Sequence, residues 1–175
     1  MKGMIEMKTL VILAHPDIEN SRINKKWKEE LEKYPDEIKV HELYKEYPDW
    51  NIDVEKEHKL IEEYDNIILQ FPVYWCSCPP LLKKWFDDVW TFNWAYGPEG
   101  DKLKNRKIGL AISAGSLEES YTLPVNEILS PFKASTIHVG AEFLPYFSLF
   151  GTVHDMSDEK VAQSAEKYVK YIKNI

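Results

Sequence analysis

Residues 9–14 read TLVILA, and this short stretch decides the class of fold. It is nearly continuous in apolar residues and rich in branched side chains, which is typical of a strand that is buried on both faces. The stretches at 66–71 (NIILQF) and 107–113 (KIGLAIS) repeat the pattern. Strands of this kind belong to parallel sheets that helices cover on both sides. The three stretches therefore predict an α/β protein.

Helical patterns separate these strands. Ser21 stands where an N-cap is expected, and Trp27 and Leu31 follow it at helical spacing. Pro80 opens a second helix with an apolar stripe at i, i+3 and i+4 spacing. Further predicted elements are a strand at 38–43, a helix at 54–63, a helix at 124–139 that Gly140 ends, a strand at 142–150 and a helix at 158–173 that Ser157 caps. Alternation of this kind predicts βαβ units with right-handed crossovers.

Length and composition restrict the possible functions. The 175 residues fit one domain, 1–175, and the formal charge of -7 at pH 7 argues against broad nucleic-acid binding. No apolar run approaches the roughly 20 residues that span a bilayer, and the first ten residues lack the apolar region of a signal peptide, so we expect a cytoplasmic protein. Cys76 and Cys78 lie two positions apart with no further ligands beside them, so we expect neither a disulfide nor a metal site.

The segments after Ala14, Phe71 and Ser113 all leave buried strands at the carboxyl edge of the predicted sheet, where ligands of such folds bind. The first segment runs into a helix whose free N–H groups and dipole favour an anion such as phosphate. Its candidate ligands are the Ser21 hydroxyl, the Arg22 guanidinium, the Asn24 amide and, at the start of the loop, His15. A capped helix after a tight turn explains the same residues without a ligand.

The second and third segments suit a flat heteroaromatic ring. Prolines in the second would hold the N–H groups of Trp75 and Cys76 toward the edge of the ring, and the segment comprises Pro72, Val73, Tyr74, Trp75 and Cys76. Small residues in the third let backbone amides approach a ligand, namely Ser113, Ala114 and Gly115, and Tyr121 adds a hydroxyl donor. A buried aromatic turn and a glycine turn with a surface tyrosine are the plain alternatives.

The coincidence of three such loops at one edge favours a ligand over the plain alternatives. The sequence has neither a Gly-x-Gly-x-x-Gly pattern nor a Walker pattern. The sequence therefore indicates neither a Rossmann dinucleotide site nor a P-loop, and it favours a different phosphate-bearing ligand.

Four stretches carry a family resemblance: AHPDIENSRIN (14–24), QFPVYWCSCPPLLKKWFDDVW (70–90), AYGPEGDKLKNRKIGLAISAG (95–115) and FGTVHDMSDEKV (150–161). Through them the chain, from about Met7 onward, resembles the flavodoxin-like NAD(P)H quinone oxidoreductases, the family of mammalian quinone reductase and of bacterial potassium-efflux ancillary reductases. The resemblance implies a flavodoxin-like three-layer sandwich with a five-stranded parallel sheet. It also implies an FMN or FAD cofactor that takes electrons from NAD(P)H.

The resemblance assigns the three loops to parts of the flavin. It places the flavin phosphate on His15, Ser21, Ile23 and Asn24, the isoalloxazine against Pro72 to Cys76, and the pyrimidine edge against Ser113 to Gly115 with Tyr121. Long members of the family have a C-terminal segment for the adenosine half of FAD, and its lack here favours FMN. One position departs from the mammalian pattern, because Glu127 stands where a histidine follows the tyrosine. A proton relay through imidazole is therefore in doubt, and Tyr121 is expected to act as an orienting donor.

The implied activity is two-electron, ping-pong hydride transfer from NAD(P)H through FMN to quinone-like or other flat aromatic acceptors. A long loop at 91–105 brings Phe92, Trp94 and Tyr96, which either form the opposite wall of the acceptor site or pack against a partner subunit. The aromatic surface of residues 85–94 predicts a homodimer. Two other functions stay open: a flavodoxin-type electron carrier, and a redox-sensing ancillary subunit docked on a membrane potassium-efflux transporter.

Overall fold

A computed structural model of the chain describes residues 7–175 and contains one parallel sheet. The strand order is β2-β1-β3-β4-β5, and β6 also pairs with β4. The predicted α/β class and parallel sheet are therefore confirmed. The strands are β1 (Thr9–Leu13), β2 (Ile38–Glu42), β3 (Asn66–Pro72), β4 (Lys107–Ser113), β5 (Glu142–Phe143) and β6 (Phe147–Leu149).

Helices cover both faces of the sheet, and the two faces have separate cores. On one face α1 and α7 pack together around Trp27, whose Nε1 donates to Ser164 Oγ at 2.9 Å. On the other face Trp85 of α4 and Phe132 of α6 belong to the larger core. The helices are α1 (Arg22–Leu31), α2 (Leu43–Glu46), α3 (Val54–Glu62), α4 (Pro80–Val89), α5 (Val125–Ile128), α6 (Ser130–His138) and α7 (Asp158–Lys173).

The last strand differs from the continuous strand predicted at 142–150. β5 pairs with the start of β4, whereas β6 pairs with its end one residue out of step, since Lys107 faces Glu142 but Ala111 faces Phe147. The extra residue forms a bulge that contains Pro145, which has no N–H to donate. The Pro145 carbonyl instead accepts from the Tyr171 hydroxyl at 2.7 Å. That hydroxyl lies over Gly109, where a Cβ would come within 2.6 Å of it.

Two further predictions also need correction: the strand predicted at 38–43 and the helix predicted at 124–139. Leu43 begins α2 and does not extend β2. The helix predicted at 124–139 is divided into α5 and α6, with Leu129 between them and Pro131 in the first turn of α6. Proline lacks the N–H that a continuous helix would bond to the carbonyl four residues earlier, which explains the break. Gly140 has a φ of +74° and ends α6 as predicted.

The sheet register brings the three loops to one edge. Leu13 faces Gln70, and Pro72 faces Ser113. Backbone bonds continue past the strand ends, from Ala14 N to Gln70 O at 2.9 Å and from Val73 N to Ser113 O at 2.8 Å. Within residues 7–175 no helix combines the length and apolar character that a bilayer span requires.

Candidate functional site

The first turn of α1 presents unpaired backbone donors. Ser21 caps the helix, because its Oγ accepts from Asn24 N at 3.2 Å. The N–H groups of Arg22 and Ile23 meet no acceptor among the described residues. Free N–H groups at the positive end of a helix dipole attract an anion. The start of α1 can therefore bind a phosphate through its backbone.

His15 is a further side-chain donor at the start of the first loop. Burial lowers its pKa, against the opposing effect of the Asp17 charge, so the imidazole is neutral at pH 7. Its Nδ1 accepts from Asp17 N at 3.1 Å. The ring proton therefore resides on Nε2, which can donate to a ligand.

The remaining predicted phosphate ligands are engaged elsewhere. The Arg22 guanidinium lies 2.6 Å from Asp158 Oδ1 at the start of α7. The Asn24 side chain is buried and donates through Nδ2 to Ser113 Oγ at 2.9 Å, so it links α1 to β4. The Ile23 side chain is buried in the core under α1. Of these three residues, Arg22 and Ile23 therefore offer only their backbone N–H groups, and Asn24 holds the loop.

The second loop is a strained turn. Tyr74 and Ser77 exchange backbone hydrogen bonds of 3.0 and 2.9 Å, and the residues between them have positive φ, 46° at Trp75 and 58° at Cys76. Non-glycine residues rarely adopt this geometry, and such strain concentrates at functional sites. The N–H groups of Trp75 and Cys76 meet no acceptor within residues 7–175, and the Trp75 side chain is 99% exposed. This turn therefore presents two backbone donors and an exposed indole to solvent.

Pro72 and Val73 form the half-buried base of that turn. Because Val73 N donates to Ser113 O, its N–H is not available to a ligand. Ser113 in turn accepts through Oγ from Asn24, so its hydroxyl is part of the link to α1. Val73 and Ser113 therefore connect the loops to one another, whereas the exposed N–H donors belong to Trp75 and Cys76.

The third loop leaves one small residue open. Ala114 is buried, donates to Leu149 O at 2.9 Å and accepts from Thr152 N at 3.0 Å. Gly115 N has no acceptor in the described chain. A Cβ at Gly115 would come 3.1 Å from Val153 Cγ1, so a side chain there would press against the neighbouring segment. Gly115 therefore keeps an accessible backbone donor at this edge.

Tyr121 follows a short 3₁₀ turn at Glu118–Ser120 in the third loop, and its phenol lies close enough to Cys76 of the second loop to interact with it electrostatically. Burial raises the pKa of its phenol, and nearby Cys76 adds to the shift, so the hydroxyl is a protonated donor at neutral pH. Its ring contacts Phe150 edge to face, with centroids 6.1 Å apart. Glu127 is exposed in α5 and makes no hydrogen bond to the tyrosine. The structure thus brings Tyr121 to the site without a side-chain relay partner.

A fourth segment, residues 150–153, borders the site and was missed from the sequence. Gly151 N donates to Ser116 O at 2.8 Å, which pairs this segment with the third loop. Gly151 has a φ of +72°, and a Cβ there would come 2.8 Å from Leu117 Cδ2. The only sequence signal was a glycine after a strand, within the stretch FGTVHDMSDEKV that carried the resemblance.

The aromatic residues of the long loop point in different directions. Trp94 is buried, stacks on His58 with centroids 3.8 Å apart, and donates from Nε1 to Glu62 Oε1 at 2.9 Å. It is buried and anchors the loop to α3, so it fits neither of the two predicted alternatives, a wall of the acceptor site or a contact with a partner subunit. Phe92 and Tyr96 stay exposed. Tyr96 borders a groove of about 520 Å³ between α4 and α6 whose apolar floor includes Phe86, Trp90 and Phe132.

Metal binding finds no support in these loops. Within the part of the chain that the structure describes, no three His, Cys, Asp or Glu side chains are grouped so that they could hold a metal ion. Both cysteines are free thiols, Cys76 exposed and Cys78 buried.

A parallel doubly wound sheet with unpaired backbone donors on several loops at one edge defines a class of α/β proteins that bind a phosphate-bearing ligand. Comparison with known proteins identifies the family of this chain. It belongs to the family described as having a flavodoxin-like fold, whose model matches residues 7–172.

Two relatives and two solved structures extend this result. The chain is 49% identical to an uncharacterized NAD(P)H oxidoreductase, YdeQ, of Bacillus subtilis, over 98% of this chain and 89% of the relative. It is 34% identical to the glutathione-regulated potassium-efflux system ancillary protein KefF of Enterobacter sp., over 92% of each. It resembles general stress protein 14 of Treponema denticola in complex with FMN, with a TM-score of 0.91, 41% identity and coverage of 95% and 98%. It also resembles an NADPH-quinone reductase of P. pentosaceus, with a TM-score of 0.86, 28% identity and coverage of 97% and 99%.

Proposed function

We propose that this protein is an FMN-dependent NAD(P)H:quinone oxidoreductase. The observation that carries the proposal is a set of N–H groups at one sheet edge that find no acceptor within residues 7–175. They belong to Arg22 and Ile23 on α1, to Trp75 and Cys76, and to Gly115. FMN has a dianionic phosphate at one end and a ring rich in nitrogen and oxygen acceptors at the other. The similarity to an FMN-bound protein and to proteins called NAD(P)H oxidoreductase and NADPH-quinone reductase supports this choice.

The phosphate would lie at the start of α1. The N–H groups of Arg22 and Ile23 and the Nε2 proton of His15 would donate to it. Two nearby carboxylates have partners of their own: Glu19 pairs with Lys25 at 2.7 Å, and Asp17 accepts from Asn20 Nδ2 at 2.8 Å. Lys25 therefore partly compensates the charge of Glu19 beside the bound phosphate, and the Asp17 carboxylate is hydrogen-bonded.

The ring would lie between the second and third loops. When bound, FMN supplies the hydride acceptor and donor between NAD(P)H and the oxidised substrate. The N–H groups of Trp75, Cys76 and Gly115 and the Tyr121 hydroxyl would hold the polar atoms of the ring, and these fixed donors favour the charge that reduction builds there. Trp75 would flank its face.

Nicotinamide donor and quinone acceptor would use one open face in turn, which gives ping-pong kinetics. Parallel double-reciprocal lines with NAD(P)H and a quinone are the expected result. Intersecting lines would indicate a ternary complex and contradict a shared site. We propose a cytoplasmic location, since the two thiols are free and NAD(P)H is available there.

The decisive experiment for the function is a spectrum of the purified protein. We expect a flavin band that NADH or NADPH bleaches and a quinone restores, and acid release should yield FMN. Release of FAD, or no flavin binding after incubation with excess FMN, would overturn the proposal.

The similarity to KefF favours a second function, an ancillary subunit docked at the periphery of a membrane potassium-efflux transporter. The two functions are compatible, because docking need not cover the carboxyl edge of the sheet. Co-purification with a transporter would support the second function, and a flavodoxin-type carrier would show no NAD(P)H oxidation at all.

A further inference from the structure

Gln70 is a buried polar side chain for which the site described above gives no reason. It lies near the end of β3 with no exposed surface. Its Nε2 donates to Asn24 O at 3.2 Å and to Asn24 Oδ1 at 3.3 Å. Asn24 Nδ2 then donates to Ser113 Oγ at 2.9 Å. Three side chains from β3, α1 and β4 therefore form one buried chain of hydrogen bonds, which we call the Gln70 network.

The orientation of the Gln70 amide follows from its partners. Asn24 O is a carbonyl and can only accept, so the amide nitrogen of Gln70 must face it. Gln70 Oε1 then points away, and no donor within the described residues 7–175 meets it. A buried unpaired acceptor lowers stability, and an apolar side chain of the same size would avoid that cost. Stability alone therefore does not account for a glutamine at this position.

The place of the Gln70 network suggests what it does. The Gln70 carbonyl accepts from Ala14 N at 2.9 Å, where the first loop begins, and its side chain holds the first turn of α1. Through Asn24 it reaches Ser113, whose carbonyl accepts from Val73 N in the second loop. Gln70 thus connects the phosphate end of the proposed site to the strand ends from which both ring-binding loops leave.

We propose that Gln70 is a positioning residue that sets the spacing between the phosphate-binding start of α1 and the ring-binding loops, without touching the cofactor. The inference rests on the proposed function, because it concerns FMN. A ligand gripped at both ends binds tightly only when the two grips are correctly spaced, and supporting hydrogen bonds provide that spacing. Loss of the Gln70 network therefore weakens the binding of FMN more than it weakens the binding of a ligand that is held at one end only.

The test is Gln70→Met in the full chain. The variant removes the unpaired Gln70 Oε1 but leaves Asn24 Oδ1 without a donor, so the number of unpaired buried acceptors stays the same. We therefore expect the unfolding temperature without flavin to change little. FMN affinity, measured by quenching of flavin fluorescence, should fall about tenfold, the lower end of what loss of an outer supporting partner costs at other ligand sites. Riboflavin lacks the phosphate and uses only the ring grip, so its affinity should fall less than about threefold.

Asn66→Leu is the matched control. Asn66 is a buried amide on the same strand and the same face, its Nδ2 donates to Thr9 Oγ1 at 3.4 Å, and its Oδ1 has no donor among the described residues. It lies four residues earlier, about 13 Å from Gln70 toward the opposite edge of the sheet. This control should bind FMN as the unaltered protein does.

The outcomes separate the inference from the function. If the unaltered protein binds no FMN, both fail. If it binds FMN and Gln70→Met binds it equally well, only the inference fails. Equal losses for FMN and riboflavin, or an unfolding temperature far below that of Asn66→Leu, would show a structural role and overturn the inference.

Discussion

Tyr121 is the side chain whose part in the proposed reaction can be separated from cofactor binding. Its phenol is protonated at neutral pH, lies near Cys76 and has no acidic or basic hydrogen-bond partner in the described part of the chain. A donor of this kind stabilises the negative charge that develops on reduction more than it stabilises the oxidised ring. We expect Tyr121→Phe to slow flavin reduction about tenfold with FMN affinity nearly unchanged. Stopped-flow reduction by excess NADPH measures the rate, and an unchanged rate with weaker FMN binding would make Tyr121 structural.

Ser21 combines a structural role as a helix cap with a proposed role in the phosphate site. Ser21→Ala removes the acceptor of Asn24 N, which costs about 1 kcal/mol of folding stability, as loss of a helix cap does elsewhere. The freed first turn should also lower FMN affinity. Ser157→Ala is the control, because Ser157 Oγ caps α7 by accepting from Lys160 N at the same 3.2 Å. Urea unfolding should show similar losses for both variants, while a fall in FMN affinity for Ser157→Ala would remove the site-specific interpretation.

The sequence indicated individual site residues where the signal was local. Ser21 was predictable because a serine before an apolar helix pattern is a common cap. Arg22 and Asn24 were predicted as ligand-binding side chains, yet their partners are Asp158 and Ser113, which are far away along the chain. No local pattern reveals which distant side chain will satisfy a polar group, so a charge or an amide near a helix start is easily taken for a ligand contact.

The helix α3 is tied to its neighbours by one buried carboxylate. Glu57 accepts from Tyr47 at 2.6 Å and from Trp85 Nε1 at 2.7 Å, and its Oε1 lies 2.8 Å from His41 Nε2. Burial alone would raise the pKa of Glu57. The hydrogen bond and charge of His41, with the bonds from Tyr47 and Trp85, outweigh burial and hold the pKa below its usual value.

This lowered pKa predicts a pH dependence of folding. The native carboxylate binds its proton less readily than the unfolded one, so its contribution is complete above the unfolded pKa and is lost as pH falls through the native pKa. Glu57→Gln should lower the free energy of unfolding at pH 7 by on the order of 2 kcal/mol and flatten its decline below about pH 5. Urea unfolding from pH 7 to pH 3 checks this, and parallel declines for both proteins would contradict it.

Strands and long helices were predictable from periodicity, whereas interruptions were not. The buried patterns of β1, β3 and β4 set the centre of the sheet, and their observed bounds lie within a residue of those predicted. The bulge at Pro145 depends on Tyr171 and Gly109, which meet only after α7 packs on the sheet. Proline at 131 could have indicated the division between α5 and α6, because its missing N–H ends a helical ladder.

At the scale of the whole molecule, the sequence predicted which loops meet at one edge of the sheet. Alternating strands and helices imply parallel crossovers, and parallel crossovers bring alternate loops to one edge. That reasoning needs no side-chain contact, and the structure does bring the three predicted loops to one edge of the sheet. The long loop could not be treated in this way, because an aromatic residue in a loop faces either the core or the solvent with the same sequence signature. Trp94 faces the core and stacks on His58, whereas Phe92 faces the solvent.

The exposed aromatic residues of that loop lead to a prediction about assembly. Phe92 is 61% exposed, with its ring centroid 5.8 Å from that of Tyr96, which borders the apolar groove between α4 and α6. Ile137 of α6 is 58% exposed and directly precedes His138, another residue of the groove. Clustered apolar surface of this kind marks an interface more often than an isolated exposed residue does. We expect a homodimer that uses this groove, with a mass near twice the 20.6 kDa of one chain by light scattering at micromolar concentration.

Ile137→Glu should shift the population to monomer, because it places a charge in a desolvated contact. Trp50→Asn is the control: Trp50 is 39% exposed outside the groove with a φ of 64°, and asparagine tolerates that backbone, so the dimer should persist. A monomeric unaltered protein, or a dimer that survives Ile137→Glu, would contradict this interface.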